Sequence, residues 1–230
     1  MSKLVIATPV RGGEIDAAQV SFGWAAQMRA LSIVFNCDLP IVGYNYDVVR
    51  SRNRMAAQVL RDKGDVEYVL WWDDDVMLGD LKIVREMMAT GEDVIAAPYA
   101  NKLPPIGWVH THFKPPREKR GLLQEVRSVG FGFTMTSTKC LRAMSEPARK
   151  YTDWTRNGDH YKVADIFGLT FEAPEPGGSP EDEMLMSEDY SFCKRWRDMG
   201  GKIQIYLGAG ILGHAGWHAF NAKDIPGGVL

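Results

Sequence analysis

Short, almost wholly apolar runs alternate along this chain with segments whose apolar residues recur every three to four positions. "KLVIAT" (3–8), "PIVGYN" (40–45), "VEYVLWW" (66–72), "DVIAAPY" (93–99) and "KIQIYL" (202–207) are short, rich in β-branched and aromatic residues, and lack polar alternation. That pattern predicts strands buried on both faces. Between them, 14–35, 48–64, about 80–90, 138–145 and 188–201 read as helices. In the second of these, Val49, Arg52, Asn53, Ala56, Val59 and Leu60 hold helical spacing, and Gly64 stands where a helix would end. Strands alternating with helices predict an α/β fold, a mostly parallel sheet covered on both faces.

Regularity fades after residue 100. "EVRSVGFGFTMTS" (125–137) reads as one strand carrying glycines, whereas 100–125 has no clear period and 151–187 is a loop rich in Gly, Pro and charge. A structureless stretch of that length is usually functional. With no internal repeat and no linker, the expectation is one domain over 1–230, with 1–100 the ligand-binding half and 101–230 the half that reads a second substrate.

Composition changes this picture little. The 230 residues are 45% hydrophobic and 24% charged, with a net charge of −2, enough for one sizeable core and without a global pull toward nucleic acid. Local basic clusters exist at Arg50, Arg52 and Arg54 and at "KPPREKR" (114–120). No apolar run reaches bilayer length, and "MSKLVIATPV" is too short for a secretory leader. Cys37, Cys140 and Cys193 are odd in number and form no C-x-x-C pair, which argues against a disulfide framework or zinc knuckle. The expected setting is reduced and cytoplasmic.

The chemistry concentrates where "EYVLWWDDDV" turns from apolar to acidic. Ligands of α/β sheets bind beyond the carboxyl ends of strands, and Asp73, Asp74 and Asp75 fall at such an end. An acidic cluster against a buried strand needs compensating charge. In an extended segment Asp73 and Asp75 would point one way and Asp74 the other, giving two hard oxygen ligands suited to Mg²⁺ or Mn²⁺. A solvated turn is the plainer alternative for any isolated D-x-D.

"RSRNRMAAQVLRDKGDVEYVLWWDDDV" resembles the central block of GT-A-fold glycosyltransferases, with an Arg-Asn pair opening a helix and then a strand ending in D-x-D; Asn53 and Asp73 stand twenty residues apart. It is similar to the inverting family 2-like group and to the Anp1-like mannosyltransferases. "LVIATPVRGG" resembles the first strand and loop of that fold, "MSEDYSFCKRWRDMGG" its E-D signature at a helix start, and "GHAGWH" its late metal-binding histidine. The resemblance implies a nucleotide-sugar donor, a UDP-sugar by default with GDP-sugars as the other choice. It also implies a metal held by Asp73, Asp75 and His214, in preference to His218, and donor contacts from Thr8, Pro9, Arg11, Arg52, Asn53, Asp73 and Asp74. Asp189 would be the general base, and Glu188 would bind or orient the acceptor.

Each residue also has a structural reading. Glu188 and Asp189 would offset the dipole of a helix capped by Ser187. The three arginines would be a solvated helical face, Trp71 and Trp72 core, and the glycines of "VGFGF" (129–133) either a close approach to a sugar or a bulged strand. His110 and His112 ("WVHTHF") are strand neighbours first and acceptor contacts second. Two other functions remain open: a sugar-nucleotide pyrophosphorylase, for which "TPVRGGE" has the loop residues in a poor order, and a non-catalytic nucleotide- or carbohydrate-binding protein. The acceptor is unassigned: a glycan, a small molecule or a modified nucleic acid base.

Overall fold

A computed structural model of the chain describes residues 4–10, 30–31, 41–44, 47–62, 64–101, 107–154, 158, 160–173, 183–210 and 212–214. The first strands follow the sequence pattern closely: β1 is Leu4–Val10, β2 Ile41–Tyr44 and β3 Tyr68–Trp72, with helix α1, Val48–Asp62, between the last two. Within β3 the two-residue period sends Val69 and Trp71 into one core and Leu70 and Trp72 into another, one on each face of the sheet. The first core is covered by α1 (Met55, Ala56, Val59), by α3, Thr138–Ser145, and by α4, Glu188–Asp198. The second is covered by α2, Lys82–Ala89, through Ile83, Val84 and Met87, and it also takes in Leu31. Both faces are thus sealed, which is why the strands read as unbroken apolar runs. Of the helix expected at 14–35, only Ala30 and Leu31 are described, and both are helical.

The sheet corrects the expectation of a mostly parallel one. Its eight strands run in the order β2-β1-β3-β10-β5-β15-β8-β7, where β5 is Val94–Ala96, β7 Lys119–Arg120, β8 Leu123–Glu125, β10 Phe133–Ser137 and β15 Gln204–Tyr206. β2 and β3 pair parallel with β1, and β15 pairs parallel with β5. β10, however, enters antiparallel between β3 and β5, and β8 is antiparallel to both β15 and β7. The sheet is mixed, because a strand from the second half of the chain is threaded into its centre. The two halves expected from sequence therefore share one sheet and one pair of cores.

The predicted single strand at 125–137 is broken into β8, β9 (Ser128–Val129) and β10, with a turn at Phe131–Gly132. β9 leaves the main sheet to pair with β6, His110–Thr111. Part of the region expected as loop is a hairpin, β11 (Lys150–Trp154) with β12 (His160–Ala164), and a ribbon, β13 (Phe171–Glu172) with β14 (Met184–Leu185). No described helix is long and apolar enough to cross a membrane.

Candidate functional site

The three aspartates occupy a tight turn at the end of β3. Asp73 N–H donates to the Gly132 carbonyl at 2.9 Å, and Val76 N–H donates back to the Asp73 carbonyl at 3.2 Å. Trp72, fully buried, donates its indole N–H to the Val76 carbonyl at 2.7 Å, so the apolar run itself closes the acidic turn. After the turn comes β4, Val76–Met77, which pairs with β16, Gly213–His214, in a register that sets His214 opposite Val76. The alternation expected of Asp73 and Asp75 does not apply, because residues 74–75 turn instead of extending. The His214 backbone does arrive beside the aspartate turn; its side chain, like Arg11 and His218, lies outside the described residues.

Arg52 organises the acidic groups. Its side chain is 3% exposed, and it reaches Asp73 Oδ1 at 3.1 Å through Nη2 and Glu188 Oε1 at 3.1 Å through Nη1. Its guanidinium also lies over the Phe131 ring, 5.5 Å from the centroid. Burial works against the charge, but Asp73, Glu188 and Asp189 outweigh it and raise the Arg52 pKa. Among the described residues, Nε and Nη1 still have no acceptor in hydrogen-bond alignment. Arg52 ties the end of β3 to the start of α4.

The single guanidinium does not neutralise its surroundings. Burial pushes the Asp73 carboxyl up to about 7 against the pull of Arg52, and Asp75, Glu188 and Asp74 add to the rise. Glu188 is raised as well, first by burial and then by Asp189, again opposed by Arg52. Asp189 faces the same space. Its Oδ1 accepts from the Tyr190 N–H at 2.8 Å and from the Ser187 hydroxyl, while Oδ2 lies 3.5 Å from the point where a side chain on Gly130 would begin. Ser187 occupies the position before α4, but its hydroxyl serves Asp189 and makes no cap bond to the helix.

Asp73, Glu188 and Asp189 bring hard carboxylate oxygens to this point, the ligand type that Mg²⁺ takes. Among the described residues no group of three or more His, Cys, Asp and Glu side chains forms a metal-binding array. The set expected from sequence also needs the His214 imidazole, which is not described.

Thr8 is fully buried near the end of β1, and its hydroxyl has no partner among the described residues; Pro9 is half-buried beside Gly43 of β2. Asn53 faces away from the aspartates. Its Nδ2 donates to Asp165 at 2.8 Å and its Oδ1 accepts from Phe167 N–H at 2.9 Å, so its amide is spent on the segment after β12. Trp71 and Trp72 are core.

Tyr99 was not singled out by sequence. Buried just past β5, its hydroxyl accepts from Gly132 N–H at 2.9 Å, and it lies among Asp73, Asp189 and Arg52. The signal was present in "VGFGF": a Cβ on Gly130 or Gly132 would come within 2.6 or 2.5 Å of the Tyr99 hydroxyl. The glycines make room for a tyrosine of the same chain.

Comparison with solved structures agrees with this architecture. The chain is similar in fold to A197 from STIV. The two share 15% identity at a TM-score of 0.54, over 93% of this chain and 85% of A197. The bifunctional IspDF from Campylobacter jejuni aligns at 13% identity and a TM-score of 0.36, over 66% of this chain and 45% of IspDF. No protein-family model matches the chain, and no curated protein does.

Proposed function

We propose that the chain is a metal-assisted glycosyltransferase that moves a sugar from a nucleoside-diphosphate sugar, a UDP-sugar in the first instance, to an acceptor hydroxyl. The observation that carries the reading is the meeting of Asp73 and Glu188 on buried Arg52, with Asp189 beside them and the backbone of His214 opposite the turn. A strand end, a helix start and a late segment thus converge at one acidic point, in the order the sequence resemblance implies. Asp75, Asp73 and His214 would hold Mn²⁺ or Mg²⁺, which when bound supplies charge neutralisation for the departing diphosphate. Arg52 fixes Asp73 and Glu188 relative to each other. Asp189 receives the proton of the acceptor hydroxyl, held in orientation by Ser187 and the Tyr190 N–H. Tyr99 and the two glycines set the spacing between β10 and α4.

The test incubates the full chain with Mn²⁺ and a panel of UDP- and GDP-sugars and follows release of the nucleoside diphosphate. Release that is abolished by EDTA, by Asp75→Asn and by Asp189→Asn is expected. Formation of pyrophosphate from a sugar phosphate and a nucleoside triphosphate would replace this reading with nucleotidyl transfer. Tight nucleotide binding without turnover would replace it with a binding protein.

A further inference from the structure

His110 and His112 form a pair that the acidic site does not use. They flank Thr111 at β6, where the two-residue period of an extended chain sets both side chains on one side. β6 is held by its pairing with β9, His110 opposite Val129 and Thr111 opposite Ser128. Arg127 N–H extends this ladder, donating to the Thr111 carbonyl at 2.7 Å. Trp108 fixes the first ring, stacked on His110 with 5.8 Å between centroids and 26° between planes. The His112 ring stands edge-on to His110, with centroids 4.9 Å apart and planes at 89°. The two Nε2 atoms therefore face each other at 3.3 Å.

Two neutral imidazoles at that separation can share one proton, Nε2–H to Nε2, although 3.3 Å is longer than a well-formed hydrogen bond. The same separation is also an edge of a metal site. Two nitrogens bound to one ion at about 2.0–2.1 Å, at the tetrahedral angle, stand about 3.3–3.4 Å apart. An ion can thus take the place of the shared proton without moving the rings.

The ligand type selects the ion. Imidazole nitrogen suits Zn²⁺, Ni²⁺ and Cu²⁺, whereas Mg²⁺ and Mn²⁺ favour oxygen. Burial lowers the pKa of both histidines, His110 to about 4, with His112 adding to the fall of His110 and Lys119 to that of His112. At neutral pH the pair is uncharged, and no further proton competes for the nitrogens. Repulsion of a cation by Lys114 and Lys119 is weakened by solvent, since both are exposed, and Arg127 is tied to Glu172 at 3.1 Å.

We propose that His110 and His112 bind one transition-metal ion of the zinc class through their two Nε2 atoms, at a site that shares no residue with the aspartate turn. On binding, the ring that carries its proton on Nε2 carries it on Nδ1 instead. Two neutral imidazoles become two ligands, and no net proton is released. Water takes the other positions, and the ion enters from the cleft of about 790 Å³ that His112 lines with Ser187 and Tyr190. Both Nδ1 atoms are buried without a partner among the described residues, so the ligands lack the outer hydrogen bonds that strengthen metal sites. A micromolar rather than nanomolar affinity follows.

The test is calorimetry of the full chain, stripped of metal with EDTA, dialysed, and titrated with Zn²⁺. A micromolar binding event is expected that Mg²⁺ does not reproduce. Loss of an outer partner alone costs a metal site about 10–100-fold, so loss of one of two ligands in His112→Gln should weaken the event at least about tenfold. His110→Phe, which keeps the stack on Trp108, should do the same. His160→Gln, at an exposed histidine of β12, should leave the event unchanged, and so should Asp75→Asn, which separates the pair from the acidic turn. Imidazole ¹⁵N NMR of the unmodified chain gives a readout without any variant: Zn²⁺ should move the His110 and His112 Nε2 resonances together. No micromolar event, or one unchanged in both histidine variants, would overturn the site. Loss of the event in Asp75→Asn, or Nε2 resonances that stay in place at saturating Zn²⁺, would overturn it equally.

Discussion

At the scale of single residues, Arg52 decides the site. A buried cation between Asp73 and Glu188 has lost its hydration, and so have they; the pairing is tolerated because each group compensates the others. Removing one member leaves the rest exposed to one another. Arg52→Met is therefore expected to destabilise the fold by about 3–5 kcal/mol in urea denaturation under EDTA. Adding Asp73→Asn and Glu188→Gln to it should recover part of that loss by removing the repulsion, and an additive further loss would contradict this account. His110 provides a second residue-level test. Burial, and then His112, hold its imidazole at about 4 instead of the ordinary 6.5. Between those values the unfolded chain binds a proton that the native chain does not. Stability should therefore rise with pH from about 4 to 6.5 and be lost as pH falls through that window. His110→Phe, which preserves the stack on Trp108, should flatten this slope in urea midpoints taken across the range.

At the scale of elements, the turn after β9 shows what sequence could and could not convey. Unbroken apolar runs placed β1, β3 and β5, and three-to-four spacing placed α3, because those features record burial. The same features carry no record of which long-range partner fills the space above a glycine. "VGFGF" left open a sugar contact or a bulge, and the occupant is the Tyr99 hydroxyl, thirty-three positions away from Gly132 in sequence. A methyl group at 132 would stand 2.5 Å from that oxygen and 2.7 Å from its ring carbon, with Val76 at 3.0 Å. Gly132→Ala should thus force the end of β10 away from Tyr99 and the aspartate turn, at a cost of about 1–3 kcal/mol by chemical denaturation. Because Gly132 also accepts the Asp73 N–H, donor cleavage should fall further than stability alone explains. Asn53 bonds to Asp165 and Phe167, partners that its spacing in sequence could not reveal. The Arg-Asn pair lies on adjacent helix positions, which point about 100° apart, so only one of the two can face the aspartates.

At the scale of the whole molecule, α1 couples the acidic site to the hairpin that sequence took for loop. Arg50 and Arg54, four residues apart, share the face opposite Arg52. Arg50 holds Asp153 of β11 through Nη2 at 2.5 Å and Nε at 3.0 Å, and Arg54 donates to the Tyr161 hydroxyl of β12 and to the Trp154 carbonyl, each at 3.1 Å. Asp153 is fully buried, whereas its arginine partners are about one-third exposed (33% and 32%). The arginine run is thus no solvated face but a two-sided clamp, with Asn53 anchoring the chain beyond the hairpin. Sequence alone gave no sign of this: charge spacing shows which arginines share a helix face, but not that a strand carrying Asp153, a hundred residues later, packs there. Replacing Asp153 with alanine removes the acceptor of Arg50 and the ion-pair partner of Arg54, and exposure of both guanidiniums limits the penalty to about 1–3 kcal/mol. Amide hydrogen exchange should accelerate across 150–164 while β1 and β3 keep their protection, because those strands are braced by their own pairing. Donor cleavage should persist, since Arg52 still bridges Asp73 and Glu188 on the other side of the helix. Equal loss of protection in hairpin and central strands would instead mean that α1 holds the two sides as one cooperative unit.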